Sequence, residues 1–352
     1  MRDSFKTRRH AAHSFEPVPD LAELGNSLDG MAVGTTGKTI RGNLDYIETD
    51  APTRNVVAVL PGGDVRLKGE YVAIGAHSDH IGYRAAGPLD HDSLHIFNAQ
   101  EYFATENPTG ARLTADQREQ QRTRVAAIRV NIDSLRALRP ARPDSINNGA
   151  DDDGSGSVTV LEVAEAFAKG NVKPKRSVLF VWHTGEEKGL LGSRYFTDHP
   201  TVPRDSIVAQ INIDMVGRGA TTDLGAGSER YLQLVGSRRL STELGDLAET
   251  VNGMEKMPFN LDYTFDANGH PENIYCRSDH YNYARYGIPV VFLTTGGHGD
   301  YHQVTDEPQY IDYPHMARVA QYAFDLTTRV ADLDHRVVVD KPKPDPMGTC
   351  RQ

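Results

Sequence analysis

The chain has 352 residues, of which 38% are hydrophobic, so it can bury the core of one large α/β domain or two ordinary domains. Its formal net charge of -10 argues against a nucleic acid partner, which would require a basic patch. No apolar run is long enough to predict a membrane span. The N-terminus carries basic residues without a following apolar stretch, so it does not resemble a signal peptide. Sequence does not indicate the oligomeric state.

Residues 1–50 are turn-rich and predict a lead-in segment, compatible with the remnant of an upstream region. The first strands are predicted at 54–60 and 70–77, where β-branched residues are frequent. Polar loop composition then begins at residue 84 and continues to 145. Within it, apolar residues at helical spacing predict one long amphipathic helix over 114–139. We interpret 84–145 as an inserted helical flap, either packed on the body without a chemical role or acting as a lid.

Strands and helices alternate after the insertion. Buried strands are predicted in 176–184, 206–217 and 288–297, and helices at 157–170, 190–200, 241–251, 279–287 and 314–333. This pattern predicts an α/β fold with an open, largely parallel mixed sheet and helices on both faces. The catalytic domain would cover 51–335, and 336–352 would form a loosely held C-terminal tail.

Two adjacent acids, Glu186 and Glu187, follow a buried strand and precede a glycine-rich turn. Adjacent side chains point in different directions, so one carboxylate could bind a metal while the other stays free as a base. Ligand crevices form at the carboxyl ends of strands in open α/β sheets. The pair therefore favours metal-assisted hydrolysis over a solvated surface turn.

Candidate metal ligands recur at or beyond the ends of the apolar strands: His77, Asp152, Glu187, Asp214 and His302. Two imidazoles and three carboxylates without a thiolate suit zinc or another first-row divalent ion. Because one carboxylate can bridge two ions, five such side chains can serve a two-metal hydrolase. Asp79 lies two residues beyond His77 and is predicted to accept the other ring N–H. Pairing of Cys276 with Cys350 stays open.

Six ordered motifs resemble the co-catalytic di-zinc exopeptidases, which include secreted bacterial leucyl aminopeptidases and, more distantly, glutamate carboxypeptidases and glutaminyl cyclases. The motifs are GAHSDH, NGADDDGSGS, TGEEKGLLGS, NIDMVG, RSDHYNYARYGIP and YHQVTDE. They extend from about residue 56 to 333, apart from the insertion, which is longer than the corresponding connection in small secreted members. The resemblance implies the zinc-dependent exopeptidase fold.

The resemblance also implies a role for each matching residue. Asp152 would bridge two zinc ions, with His77 and Asp214 completing one site and Glu187 and His302 completing the other. Glu186 would act as general base and acid. Tyr301 would donate a hydrogen bond to the tetrahedral oxyanion, and Arg277 would face the substrate.

The expected function is therefore a zinc-dependent aminopeptidase that hydrolyses the N-terminal peptide bond of a peptide substrate with a water held by two zinc ions. A carboxypeptidase or dipeptidase on the same site is the alternative. A metal-free receptor-like scaffold is a further alternative, which the complete ligand set disfavours. Relatives of this type are commonly exported, so a periplasmic or extracellular location is expected. Side-chain specificity is left open.

Overall fold

The computed structural model describes residues 6–10, 46–50, 53–85, 87, 89–107, 109–170 and 173–352. The chain divides into two units, Met1–Thr53 and Arg54–Gln352. In the first unit, strands β1 (Lys6–His10) and β2 (Tyr46–Asp50) pair antiparallel. The rest of the predicted lead-in segment lies outside the described residues.

A seven-stranded mixed sheet organises the second unit, with strand order β10-β9-β11-β8-β4-β7-β3. Its strands are β3 (Val56–Leu60), β4 (Tyr71–His77), β7 (Ser177–His183), β8 (Ile207–Ile213), β9 (Tyr231–Val235), β10 (Asn260–Asp262) and β11 (Val290–Thr294). Strands β7, β4, β8 and β11 run parallel, whereas β3 pairs antiparallel with β7 and β9 antiparallel with β11. The short strands β5 (Gly82–Tyr83) and β6 (Ile146–Asn147) form a separate pair.

Helices complete the layers. They are α1 (His91–Thr105), α2 (Ala115–Ala126), α3 (Ile132–Leu138), α4 (Gly156–Lys169), α5 (Leu191–Asp198), α6 (Thr242–Met254), α7 (His280–Ala284) and α8 (Tyr313–Ala331). The apolar sides of α4, α6 and α8 bury one face of the sheet, while α5 and α7 pack with a second core cluster on residues from the same strands. The apolar strand runs are therefore covered on both faces, as predicted.

The inserted segment differs from the sequence prediction. The single helix expected over 114–139 is two helices, α2 and α3, and neither has a buried residue. Leu138 of the predicted apolar stripe is 82% exposed. Helix α1 occupies part of the segment that was predicted as polar loop. Its buried residues are polar, including His91 and Asn98, so apolar periodicity gave no signal for it.

The C-terminal tail is not loosely held. A disulfide joins Cys276 to Cys350. The side chain of Gln352 accepts a hydrogen bond from the backbone N–H of Tyr275, and its backbone carbonyl accepts one from Gly269. Among the described residues, no helix has both the length and the apolar composition needed to cross a bilayer.

Candidate metal centre

The carboxyl ends of three neighbouring parallel strands carry predicted site residues. His77 is the last residue of β4, Asp214 directly follows β8, and the Glu186–Glu187 pair follows β7 after a turn. Strand β4 lies between β7 and β8. Gly185 makes the turn with a φ of 68°, a left-handed conformation that favours glycine. The sheet therefore brings separate sequence motifs to one edge.

One cluster of side chains contains His77, Asp152 and Asp214. The Nε2 atom of His77 lies 3.1 Å from Asp152 Oδ1 and 3.6 Å from Asp214 Oδ1. All three residues are buried. Their ligand atoms lie close enough together to hold one metal ion.

A second cluster uses the other oxygen of Asp152. The Nε2 atom of His302 lies 3.0 Å from Asp152 Oδ2 and 3.1 Å from Glu187 Oε2. His302 has a φ of 58°, which is uncommon for a residue other than glycine and is typical of functional sites. Asp152 thus faces both clusters, one with each carboxylate oxygen.

His80, which is not among the ligands predicted from the sequence, also lies in the second cluster. Its Nδ1 atom is 2.8 Å from Glu187 Oε1 and 3.7 Å from Asp152 Oδ2. Together with these two carboxylates it forms a group that could hold a metal. His302 Nε2 lies within 3.1 Å of an oxygen of both carboxylates, whereas His80 Nδ1 is closer to Glu187 than to Asp152. Of the two imidazoles, His302 has the shorter distance to Asp152 and His80 the shorter distance to Glu187.

Backbone donors hold the Asp151–Asp153 loop in place. Asp306 accepts hydrogen bonds from the backbone N–H groups of Asp151 and Asp152 at 3.0–3.1 Å. Asp153 accepts from the N–H groups of His77, Gly156 and Met215, at 3.0, 2.9 and 3.2 Å.

A Cβ at Gly156 would lie 2.2 Å from Asp153 Oδ1, so glycine is needed for this approach. Asp153 therefore ties the end of β4 and the loop after β8 to the start of α4.

Asp214 is positioned by a buried hydrogen-bond chain. Ser278 donates to Asp214 Oδ2 at 2.7 Å, Asn212 donates to Ser278 at 2.9 Å, and Gln210 donates to Asn212 at 3.2 Å. Asp214, Ser278 and Asn212 each accept a hydrogen bond from the next residue of the chain, which helps to satisfy these polar groups inside the sheet core. The chain fixes the direction of the Asp214 carboxylate, the kind of outer support that metal ligands need.

Asp79 contacts two predicted site residues, in a different way from the one predicted. Its backbone carbonyl lies 3.0 Å from His77 Nδ1, while its carboxylate is 3.8 Å from the same atom. The carboxylate instead accepts the backbone N–H of Glu186 at 3.0 Å. Asp79 can therefore orient the imidazole of His77 and the backbone of Glu186 together.

The dense packing of acids shifts several pKa values. Burial, with the charges of Asp214, Asp279 and Asp152, raises the pKa of Glu186 to about 10. Burial also raises the pKa of Asp279 to about 7, although the charge of His77 and a hydrogen bond with Ser193 oppose it.

Contacts between opposite charges in the clusters favour the charged form of each group and shift its pKa accordingly. Despite burial, the close contacts with His302 and His80 lower the pKa of Glu187. Burial lowers the pKa of His302, but its contacts with Asp152 and Glu187 prevail and raise it to about 9. Acids of this density are electrostatically favourable only beside positive charge.

The donor atoms fit divalent metal ions. The ring nitrogens His77 Nε2 and His302 Nε2 and the oxygen Asp152 Oδ2 are buried and make no well-directed hydrogen bond among the described residues. Such atoms are unfavourable unless a partner satisfies them. Imidazole nitrogens and carboxylate oxygens without a thiolate form a donor set that zinc accepts. A cation would therefore supply the missing partner.

Tyr301 and Arg277 flank the clusters. The Tyr301 ring stacks on His302 with centroids 3.9 Å apart, and its hydroxyl lies 3.4 Å from an Arg277 nitrogen. Burial, with the charge of Asp152, raises the pKa of Tyr301, so its hydroxyl keeps its proton and can donate a hydrogen bond. All nine predicted site residues thus lie at or beside one edge of the sheet.

An α/β chain with two histidine–carboxylate clusters at the carboxyl edge of its sheet has the architecture of a metal-dependent hydrolase. Residues 112–327 match the Peptidase family M28, and this range is more than half of the chain. The chain therefore belongs to peptidase family M28, and the predicted family is confirmed.

Curated relatives are similar to about half of the chain. Leucine aminopeptidase 1 of Paracoccidioides brasiliensis (strain Pb03) is 31% identical over 210 residues, which cover 54% of this chain and 51% of that protein. Leucine aminopeptidase 1 of Ajellomyces dermatitidis (strain ER-3) is 33% identical over 219 residues, which cover 55% of this chain and 52% of that protein. The chain spans about half the length of the curated relatives it matches.

Solved structures share the fold. The aminopeptidase from Aneurinibacillus sp. strain AM-1 matches with a TM-score of 0.50 and 16% identity, over 86% of this chain and 52% of that one. BSAP, a zinc aminopeptidase from Bacillus subtilis, matches with a TM-score of 0.50 and 17% identity, over 81% of this chain and 52% of that one. The predicted α/β fold class, with its largely parallel mixed sheet, is confirmed.

Proposed function

We propose that this protein is a zinc-dependent aminopeptidase that binds two zinc ions and removes the N-terminal residue of peptides. The observation that carries the proposal is the position of Asp152 between two clusters, with His77 and Asp214 on one side and Glu187 and His302 on the other. Zinc in such sites polarises a carbonyl group and lowers the pKa of a bound water. Family membership and the leucine aminopeptidase relatives support the reaction class.

Glu186 is the proposed general base and acid. It is adjacent to the ligand Glu187, and the charges of Asp214 and Asp152 act on its carboxyl group. A high proton affinity suits a carboxylate that must take a proton from water and deliver it to the leaving amine. Bound cations would offset the surrounding negative charge and bring its pKa down towards the working range.

Tyr301 is the proposed oxyanion donor, with Arg277 beside it on the substrate side. We expect Tyr301→Phe to lower kcat/KM by roughly 10²–10³-fold, the range found when one main oxyanion donor is removed. Steady-state kinetics on the zinc-loaded variant measure this loss. Because the ring stacked on His302 is retained, zinc content should stay unchanged. An unaltered kcat/KM would remove Tyr301 from the reaction.

Aminoacyl-p-nitroanilides, used beside N-blocked and C-blocked dipeptides, test which end of a peptide the protein cleaves. We expect cleavage only when the substrate has a free α-amine. Cleavage that requires a free C-terminal carboxylate would instead indicate a carboxypeptidase, and cleavage that requires both termini free a dipeptidase. A metal-free protein that cleaves none of them would favour the receptor-like scaffold.

Two further assignments are part of the proposal. We assign the catalytic domain to residues 51–335, with 84–145 as its insertion and 336–352 as its C-terminal tail. We also propose a periplasmic or extracellular location, because disulfides such as Cys276–Cys350 persist in oxidising compartments and are rare in the cytosol.

A further inference from the structure

A cavity of about 540 Å³ opens beside the metal centre. The ligand Asp214 and the neighbouring Tyr301 and Arg277 line one part of it. Tyr102, Thr105 and other residues of the insertion line another part. The cavity therefore lies between the proposed reaction centre and a wall that the insertion supplies.

Four cavity residues lie in one row across neighbouring strands. Asp262 in β10 is opposite Gln233 in β9, and Gln233 is opposite Thr294 in β11. The register of β11 with β8 places Thr294 level with Asp214. Strands lie roughly 4.8 Å apart, so three spacings put Asp262 about 14 Å from the metal ligand along the row. A substrate side chain must be long to approach Asp262.

Most of the cavity wall is apolar. It includes Met215, Leu224, Phe265, Ile274 and Phe292. An apolar wall that ends in polar groups suits a side chain with a methylene stem and a polar head, as in lysine and arginine.

The charges in the cavity are mostly negative. Apart from the metal ligand, its acids are Glu106, Asp262 and Glu272, and Arg277 is its one cationic residue in the described part of the chain. Arg277 pairs with Glu272 at 3.4 Å. Within the described residues, neither Glu106 nor Asp262 forms an ion pair with a lysine, arginine or histidine. In the part of the chain that the structure describes, two carboxylates of the cavity are thus left without a cation.

Neutral hydrogen bonds hold both carboxylates in place. Asp262 accepts from the Tyr231 hydroxyl at 3.0 Å and from the backbone N–H and hydroxyl of Thr264 at 2.8 and 2.7 Å. Glu106, directly after α1, accepts from the Gly225 N–H at 3.0 Å. These contacts fix the direction of each carboxylate and leave its charge available to a ligand.

We propose that the cavity binds the side chain of the substrate's N-terminal residue and selects a long cationic one, lysine or arginine. This inference rests on the proposed aminopeptidase function, because it assumes that the N-terminal residue enters from the metal centre. The apolar wall packs on the methylene stem, and Glu106 and Asp262 bind the cationic head. Glu106 belongs to the insertion, which therefore takes part in specificity.

The test compares lysyl-p-nitroanilide with norleucyl-p-nitroanilide on the zinc-loaded full chain. Norleucine has the same four-carbon stem as lysine and lacks its ammonium group. We expect kcat/KM to be about tenfold or more higher for the lysyl substrate, the scale of one charge-assisted hydrogen bond. Glu106→Gln and Asp262→Asn should each lower the lysyl-to-norleucyl ratio several-fold. Glu119→Gln, an exposed acid of the insertion that pairs with Arg122, is the matched control and should leave the ratio unchanged.

A second readout separates this inference from the proposed function. Zinc-loaded Glu186→Gln is titrated in a calorimeter with lysinamide and with norleucinamide, and tighter binding of lysinamide is expected. If neither nitroanilide is cleaved but lysinamide binds more tightly, the aminopeptidase proposal fails and the cavity assignment stands. Equal or better use of the norleucyl substrate, or a ratio unchanged in both cavity variants, would overturn the cavity assignment.

Discussion

At the carboxyl edge of the sheet, the acids of the 151–153 loop are buried. The carboxylates of Asp151 and Asp153 accept hydrogen bonds from backbone N–H groups of several elements, and the backbone N–H groups of Asp151 and Asp152 donate to Asp306. The inserted segment is built differently, since α2 and α3 bury no residue and carry exposed ion pairs such as Glu119–Arg122. Surface pairs of this kind contribute little to stability. The comparison indicates that the carboxyl edge of the sheet with its candidate metal ligands (the metal edge) is fixed by the fold. The insertion, in contrast, depends on a few contacts with the body.

Those contacts are concentrated on α1 and the end of the insertion. His95 of α1 stacks on Tyr310 with centroids 3.7 Å apart, and its Nδ1 atom lies 2.9 Å from an Asp300 oxygen. Asp300 is buried, pairs with Arg218 at 3.2 Å and lies two residues before His302. A contact of the insertion therefore leads directly to the loop that carries a proposed metal ligand.

The largest effect should come from the reaction centre itself. Glu186→Gln keeps the shape of the side chain and removes its ability to take up a proton, so kcat should fall by roughly 10²–10⁴-fold or more. Zinc content should match that of the native protein, because Glu187 and the other ligands are intact. Turnover near the native rate would exclude Glu186 as the base.

A substitution at Asp153 should destabilise the metal edge. Asp153→Ala leaves the buried N–H groups of His77, Gly156 and Met215 without their acceptor. Each unsatisfied buried donor costs about 1–3 kcal/mol, so unfolding by urea should show a loss of about 3 kcal/mol or more. Asp153→Asn retains one acceptor oxygen and should lose less. Equal stability of the alanine variant and the native protein would show that this edge is held by other contacts.

The pH dependence of thermal stability, measured with and without zinc, tests the role of His302. The pKa of His302 is raised from 6.5 to about 9 in the fold, so its bound proton stabilises the metal-free protein fully below pH 6.5. That contribution is lost as the pH rises through 9. Zinc requires the neutral imidazole and replaces the proton, so the Tm difference between zinc-loaded and metal-free protein should widen from pH 6.5 to 9. A Tm difference that is constant over this range would contradict the assigned role of His302.

A smaller effect is expected where the insertion meets the body. His95→Ala removes the ring stacked on Tyr310 and the partner of Asp300, so we expect kcat/KM to fall by about tenfold, the effect of losing one hydrogen bond to a charged group. Glu119→Ala removes an exposed pair of the same insertion and should change kcat/KM and stability little. If both variants have the same kcat/KM, the contact of the insertion with Asp300 does not influence the candidate site.

Sequence predicted the metal edge better than the insertion for a physical reason. Apolar strand runs are readable without a partner, and the residues that end them, such as His77 and Asp214, must meet at one edge of a parallel sheet. The contact of His80 with Glu187 depends on a loop conformation that no periodicity encodes. Helix α1 buries polar residues, so its burial follows from tertiary hydrogen bonds. Strands β9 and β10 were not predicted, because β10 has three residues, too few for a period to be recognised, and the apolar run of β9 is interrupted by Gln233.

The most direct test of the account is a calorimetric zinc titration of the metal-free protein, with the zinc content confirmed by elemental analysis, beside the variant Asp152→Ala. We predict two zinc ions per native chain and a large loss of affinity at both sites in the variant, because Asp152 contributes one oxygen to each cluster. One zinc per native chain, or a variant that still binds two with native affinity, would contradict the shared site.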